Sequence, residues 1–388
     1  MKDVGIYVHI PFCIKKCFYC DFISYENKNE LKHEYVKYLL REIEHVGIGN
    51  KEDYKNDLDD LVRVRTIYFG GGTPSYIDSK AIIDILDTIK RNFSLIENCE
   101  ITLEINPGTV DEQKLQDYYN SGINRISIGL QETNDYLLSL IGRVHNFQQF
   151  LETYKLARKI GFDNINVDLI SALPNQTIDD VKKTLDTIIE LNPEHVSVYS
   201  LILEDETKLA KMVEEKILNK PDEKLEREMY WLIKDKLEKN GYNHYEISNY
   251  SKIGYESKHN LDCWNQNEYI GFGVSAHSYT NSVRFSNIES IEEYIINIRN
   301  CEEYKNLIFH EKQDQDSKMK EYMMLGLRKI KGININEFKE KFLQNPVFIF
   351  KKELNKLVNE GLIEVDEEFI RLTKNGIDFA NIVWQDFI

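Results

Sequence analysis

Six times between Ile6 and Leu201 the chain runs from a short apolar stretch, through a polar or flexible junction, into a helix-like segment. The apolar runs are Ile6–Ile10, Thr66–Phe69, Glu100–Glu104, Arg125–Ile128, Asn164–Leu169 and His195–Leu201. Amphipathic or charged helical spacing follows each, over Glu30–Val46, Ser79–Asn92, Asp111–Asn120, Tyr136–Ile141 with Phe147–Ile160, Ile178–Leu191, and residues 211–240. Strands alternating with helices predict a parallel sheet of βα units. Six units predict an α/β fold of incomplete (β/α)6 barrel type, open on one side to a large substrate. The C-terminal edge of such a barrel carries its chemistry. Here that edge holds cysteines, glycines, Glu104, Gln131, Asp168 and Glu204. Any one of these is explained as a helix cap; their succession is better explained by a shared site.

After the first run, Pro11-Phe12 stops the strand and places Cys13, Cys17 and Cys20 on a loop. Closely spaced thiolates are soft ligands that suit an iron–sulfur cluster or zinc. On a cubane of four irons, three thiolates leave one iron open to a small molecule. Zinc prefers four ligands, and His9 is the nearest fourth. A disulfide needs an oxidising compartment, which nothing in the sequence suggests. The remaining cysteines, Cys99, Cys263 and Cys301, are scattered.

Lys+Arg 49 against Asp+Glu 65 gives 49 − 65 = −16, so the chain repels nucleic acid and anionic lipid on average. The N-terminus runs straight into a strand without a signal-peptide apolar core, and no uncharged stretch approaches the ~18 residues of a spanning helix. A soluble cytoplasmic protein is expected. Its 388 residues allow one large barrel and a smaller appendage. The expected division is 1–210 as partial barrel with the cysteine loop, 211–300 as a helical and loop extension completing the site, and 301–388 as a smaller α-rich C-terminal domain. Gly47–Asp60 is polar and reads as a surface loop. The last segment orders its helices (Lys318–Arg328, Ile335–Phe342, Phe348–Glu360) before a two-stranded piece (Leu362–Glu364, Phe369–Leu372), as a winged helix does. Its 14 basic against 16 acidic residues over Glu302–Ile388 do not suit a DNA reader, and a packing or lid module is expected instead.

Gly70-Gly71-Gly72-Thr73-Pro74 follows a strand and precedes a helix. Glycines let backbone N–H groups approach a ligand closely, but the Lys-Ser/Thr of a nucleotide loop is missing. Glu104, Gln131, Arg143 in Gly-Arg-Val-His, and Asp168 are polar groups in apolar settings. Carboxylates suit cationic and hydroxyl groups of a ligand, and arginine suits a carboxylate. Singly, each is equally a structural salt bridge or cap.

The C-x3-C-x2-C loop with Tyr19 before its last cysteine, together with the GGGTP segment, resembles the radical S-adenosylmethionine (SAM) superfamily. From Tyr7 to the C-terminal module the chain resembles the oxygen-independent coproporphyrinogen oxidase family and its haem-chaperone branch. The resemblance implies a [4Fe–4S] cluster on Cys13, Cys17 and Cys20. It implies SAM at Tyr7, Tyr19, Gly71, Gly72, Thr73, Glu104, Gln131, Arg143 and Asp168. Ala172-Leu173-Pro174-Asn175-Gln176-Thr177 departs from the usual Gly-Leu-Pro-Gly-Gln-Thr. Decarboxylating oxidases carry a further cysteine two residues after the third, where this chain has Phe22, and a longer arm before the loop than the twelve residues here. Both differences favour the chaperone branch. His259-Asn260-Leu261-Asp262-Cys263-Trp264 resembles that branch's His-Asn-x-x-Tyr-Trp haem segment, with cysteine in place of tyrosine. His259 is thus the first candidate haem ligand and Cys263 a weaker one; His145 and His277 are alternatives.

The expected function is haem binding and transfer to haem-requiring proteins, with cluster, SAM and haem as cofactors. The alternative is radical SAM decarboxylation of porphyrinogen propionates; a zinc-bound structural protein is a third reading. Haem-acceptor proteins are the expected partners, and a homodimer or peripheral membrane contact is compatible with the sequence.

Overall fold

The apolar runs become strands of one sheet: β1 (Lys2–Ile10), β2 (Val62–Gly71), β3 (Ser94–Ile105), β4 (Arg125–Gln131), β5 (Ile165–Ser171) and β6 (His195–Ser200). They lie side by side in chain order, each parallel to the next. The first six residues of β4 are all buried, as expected of a parallel strand covered on both faces. This computed structural model describes residues 2–47, 62–300 and 307–388. The surface loop expected at Gly47–Asp60 lies outside the described residues except for Gly47, as do Cys301 and the first residues of the last segment.

Ile6, Val8, Ile67, Phe69, Leu103, Ile126, Ile128, Val167 and Val196 supply the strand side of the main core. Leu39, Ile43, Ile85, Leu86 and Ile188, on helices Lys32–Gly47, Ser79–Asn92 and Ile178–Leu191, supply the other side. Helix capping is real but falls elsewhere than at the strand ends. Asp111, Asn146 and Thr177 accept the N–H groups of Lys114, Gln149 and Asp180. The polar residues ending β3, β4 and β5 are different ones.

The sheet is wider than six strands. Beyond β6, an antiparallel pair, β7 (Asn243–Glu246) and β8 (Asn249–Ser251), extends one edge. At the other edge β9 (Tyr269–Phe272) pairs parallel with β1, a seventh parallel strand too short and glycine-rich to stand out in the sequence. Gly271 is required there, since a Cβ would lie 2.1 Å from the His277 carbonyl oxygen. Antiparallel strands β10 (His277–Thr280), β11 (Val283–Asn287) and β12 (Leu307–Lys312) follow. The order is β12-β11-β10-β9-β1-β2-β3-β4-β5-β6-β8-β7, and its two ends do not pair. The barrel is therefore open.

A second core gathers Met319, Met323, Leu327, Ile333, Phe338, Leu354, Leu357, Ile363, Ile370, Val383 and Phe387. Its elements run helix Gln315–Gly326, β13 (Ile333–Asn334), helices Ile335–Phe342 and Lys351–Asn359, then β14 (Ile363–Val365) and β15 (Phe369–Leu372). That is winged-helix order, closed by helix Ala380–Gln385. Backbone hydrogen bonds join this unit to the sheet: Ile247 N–H donates to the Arg328 carbonyl and Ile330 N–H to that of Tyr245, both at 3.1 Å. Trp231 Nε1–H adds a bond to Asp378 at 2.9 Å. No helix of the described residues is long and apolar enough to cross a membrane.

Candidate functional site

The C-terminal ends of the parallel strands open into one cavity of about 1260 Å³. Small-ligand pockets commonly measure ~300–1,000 Å³, so there is room for more than one small molecule. Cys13, Cys17 and Cys20 line it, with Tyr19, Gly71, Gly72, Thr73, Glu104, Gln131, Arg143 and Asp168. Eleven of the twelve residues that the resemblance assigns to cluster and SAM thus meet in one space.

The cysteine loop is fixed from beneath. Phe18 N–H donates to the Ile141 carbonyl at 2.9 Å, and Leu209 N–H to the Phe18 carbonyl at 2.8 Å. Phe18 and Tyr19 pack against a third apolar cluster that includes Leu137, Ile141, Leu173 and Leu209. Burial pushes the Cys13 thiol up and that of Cys20 to about 11. A metal binding there must displace protons and supply the charge that stabilises thiolate. Among the described residues, no three His, Cys, Asp or Glu side chains converge as one metal ion would require. Cys13, Cys17 and Cys20 line one wall of the cavity, a thiolate donor set of the kind that holds an iron–sulfur cluster. His9 does not complete a zinc site. Its Nε2 is 2.8 Å from the Ile23 carbonyl and its Nδ1 3.1 Å from Tyr7 Oη, and it is absent from the cavity lining.

A polar chain ties the loop to the strand ends. Arg143 donates from Nη1 to Cys17 Sγ at 3.5 Å and from Nη2 to Asn106 Oδ1 at 2.7 Å and the Gly129 carbonyl. Asn106 Nδ2 donates to Thr73 Oγ1 at 2.8 Å, and Thr73 Oγ1 lies 3.5 Å from Cys13 Sγ. Asn106 is the centre of this chain, and sequence reasoning passed over it despite its position just after β3. Tyr68 was missed as well; its hydroxyl donates to Glu104 Oε1 at 2.8 Å. Burial pushes Glu104 up to about 7, with Asp168 adding to the rise and the Tyr68 bond opposing it. A cationic group brought to Glu104 would favour its ionised form. Asp168 accepts from Ser127 Oγ at 2.6 Å and Asn166 Nδ2 at 2.8 Å, which aligns it on β5.

Gly71 has φ +112°, and a Cβ there would strike the His9 ring at 2.7 Å, so the turn after β2 depends on glycine. At the departure from the family pattern, Ala172 and Asn175 stand at φ +58° and +63°. The left-handed backbone explains glycine as the usual residue at both positions. Asparagine tolerates it; alanine holds it at a cost.

Two expected residues lie elsewhere. Tyr7 packs behind the wall, stacked on Tyr68 at 6.3 Å, and does not line the cavity. His259, the first candidate haem ligand, is buried: its Nδ1 is 2.8 Å from Thr66 Oγ1 and its ring stacks on Tyr68 at 5.2 Å. Lys258 and His259 N–H groups donate to the Glu100 carboxylate at 3.1 Å each, docking the helix N-terminus on β3. The start of this segment is thus a structural joint, and the structure does not bring His259 to the cavity. Cys263 and His277 are outside the lining too, whereas His145 is part of it.

The individual residues of the remaining wall were not singled out in the sequence. That wall comes from Lys220, Lys224, Arg227 and Tyr230, from Arg328, and from residues 377–382 and Trp384. Exposed apolar side chains border the same space, with Phe22 and Ile202 each 70% exposed, Phe379 55% and Ile382 48%.

Known proteins resemble this chain along its length. The Radical SAM superfamily matches residues 7–188, and the HemN C-terminal domain matches 313–379. A protein of Lactococcus lactis named "Heme chaperone HemW" is 35% identical over 387 residues, covering 100% of this chain and 98% of the relative. One of the same name in Bacillus subtilis is also 35% identical, covering 98% of each. The solved structure of coproporphyrinogen III oxidase (HemN) from Escherichia coli superposes with a TM-score of 0.84 at 22% identity, covering 100% of this chain and 90% of that one. At that identity the likeness speaks for the fold.

Proposed function

Since this chain belongs to the HemW family of haem chaperones within the radical SAM superfamily, we propose that it binds haem in the cavity beside its cysteine loop and passes it to haem-requiring proteins. The observation that carries this reading is that the thiol-lined wall and a wall of exposed apolar and cationic side chains enclose one space. A flat apolar macrocycle with acidic substituents needs that second wall.

Superfamily membership implies a [4Fe–4S] cluster and SAM. Cys13, Cys17 and Cys20 would hold the cluster. When bound, such a cluster with one iron free of protein ligands supplies one-electron reduction to SAM. Thr73, Asn106 and Arg143 keep the loop aligned with the strand ends through the hydrogen-bond chain described above. Glu104 and Asp168 offer carboxylates to the cationic and hydroxyl groups of SAM, and Arg143 offers charge to its carboxylate. Gly71 and Gly72 leave backbone open to the same ligand. Phe22 takes the position where the oxidases place a further cysteine, and puts an exposed ring at the cavity instead.

The test is anaerobic cluster reconstitution followed by parallel assays of haem uptake and coproporphyrinogen conversion. Expected are stoichiometric haem binding and no decarboxylated product. Product formation that depends on SAM and a reductant would overturn the chaperone reading in favour of an oxidase.

A further inference from the structure

Among the described residues no carboxylate forms an ion pair with Arg328, although the charge of Glu246 acts on it. Arg328 follows helix Gln315–Gly326 and lines the cavity from the C-terminal unit. Its guanidinium carbon lies 4.4 Å from the centroid of the Trp264 ring and 4.7 Å from that of Trp384. Its Nε is buried without a hydrogen-bond partner, as are the Nε1 atoms of both indoles. The acidic groups around it are Asp378, Glu223 and Glu226 of the cavity lining and Glu246, whose charge acts on Arg328. Asp378 accepts from Trp231 and pairs with Arg227 at 3.4 Å. Glu226 pairs with Lys220 at 3.3 Å. Through Oε1, Glu246 accepts from Ser248 N–H at 3.1 Å and from the Asn249 amide, while its Oε2 is buried without a hydrogen-bond partner. Burial raises the Glu246 pKa and lowers that of Arg328, and the charge of each group opposes the shift of the other.

An arginine laid on an aromatic face is fixed in orientation while its N–H fork stays available in the ring plane. Such a fork matches a carboxylate with two parallel hydrogen bonds. Arg227 is a second cavity-lining arginine with a buried, unpartnered Nε, and Lys220 and Lys224 share the wall with Glu223, Glu226 and Asp378.

We propose that Arg328, held over the indoles of Trp264 and Trp384, receives a carboxylate of the tetrapyrrole bound in the cavity. This subsite rests on the haem-binding reading above. It also gives the tryptophan of the His259–Trp264 segment a role, as part of the platform for Arg328.

Absorbance titration of the full-length, cluster-reconstituted protein with ferric protoporphyrin IX and with its dimethyl ester tests the assignment. The wild type is expected to prefer the free acid by a factor of about ten to a hundred, the scale of a charge-assisted bidentate contact. R328Q is expected to lose that preference, while R328K, which keeps the charge but not the fork, retains part of it. R328Q with the full wild-type preference would overturn the subsite, as would a wild type that binds acid and ester equally; either leaves haem binding itself intact. A wild type that takes up neither porphyrin would overturn the haem reading and the subsite together. Should R328Q fail to fold, as judged by its iron content, R328K and the wild-type ester comparison still decide.

Discussion

Cys17→Ala is expected to leave the protein without its iron–sulfur cluster after anaerobic reconstitution. Cys13→Ala and Cys20→Ala should do the same. A cubane held by three protein thiolates has no spare ligand, so one deletion should exceed the ~10–100-fold loss of metal affinity typical of outer-shell mutations. The internal controls are Cys99→Ala and Cys263→Ala. Cys99 is buried away from the cavity and Cys263 lies outside its lining, so both variants should retain wild-type iron and acid-labile sulfide. Iron content unaffected by Cys17→Ala, or stoichiometric zinc in its place, would contradict the assignment. Because Arg143 donates to Cys17 Sγ and is linked through Asn106 to Thr73, this loss should also loosen the strand ends that face SAM.

Glu42→Ala is expected to be among the most destabilising single substitutions far from the cavity. Glu42 is 2% exposed on helix Lys32–Gly47. Its carboxylate accepts from Gly273 N–H at 2.7 Å, Asn287 Nδ2 at 2.8 Å and the Tyr294 hydroxyl at 2.5 Å. It thereby ties the first helix to the turn after β9, to β11 and to helix Ile291–Arg299. Stranding three buried donors at ~1–3 kcal/mol each gives a loss of roughly 4 kcal/mol, allowing for relaxation. For a chain of this size that corresponds to a fall in thermal midpoint of about 5 °C. Glu42→Gln keeps one acceptor and should lose about half as much. Calorimetry that finds Glu42→Ala within a degree or two of wild type would remove this carboxylate from the account of how the β9–β12 edge is held.

The strand-end half of the site was legible because parallel strands terminate in punctuation. Cysteines, glycines, Glu104, Gln131, Arg143 and Asp168 stand out against apolar runs, and the barrel rule places them together. Tyr7 shows the limit of that logic. It stands directly opposite Tyr68 in the β1–β2 register, and Tyr68, not Tyr7, lines the cavity. His259 shows another. Its place at the start of helix Lys258–Trp264 puts its N–H on Glu100 and its ring on Thr66, so a ligand-like motif serves as a joint. The β9 strand is four residues with a glycine inside, below what period-two alternation can signal. The residues of the opposite wall were not picked out for a simpler reason: Lys220–Tyr230, Arg328 and Trp384 come from segments about fifty to a hundred residues apart, joined only by tertiary packing.

Haem handover tests the central claim most directly. Haem-loaded wild type would be mixed with a purified apo-haem protein from the same source, and separately with excess apo-globin as a passive trap, following the Soret bands in time. The expected result is transfer to the physiological acceptor faster than release to the trap, since a chaperone must contact its acceptor to deliver. Equal rates would mean that the protein merely releases haem into solution, and would contradict a chaperone function.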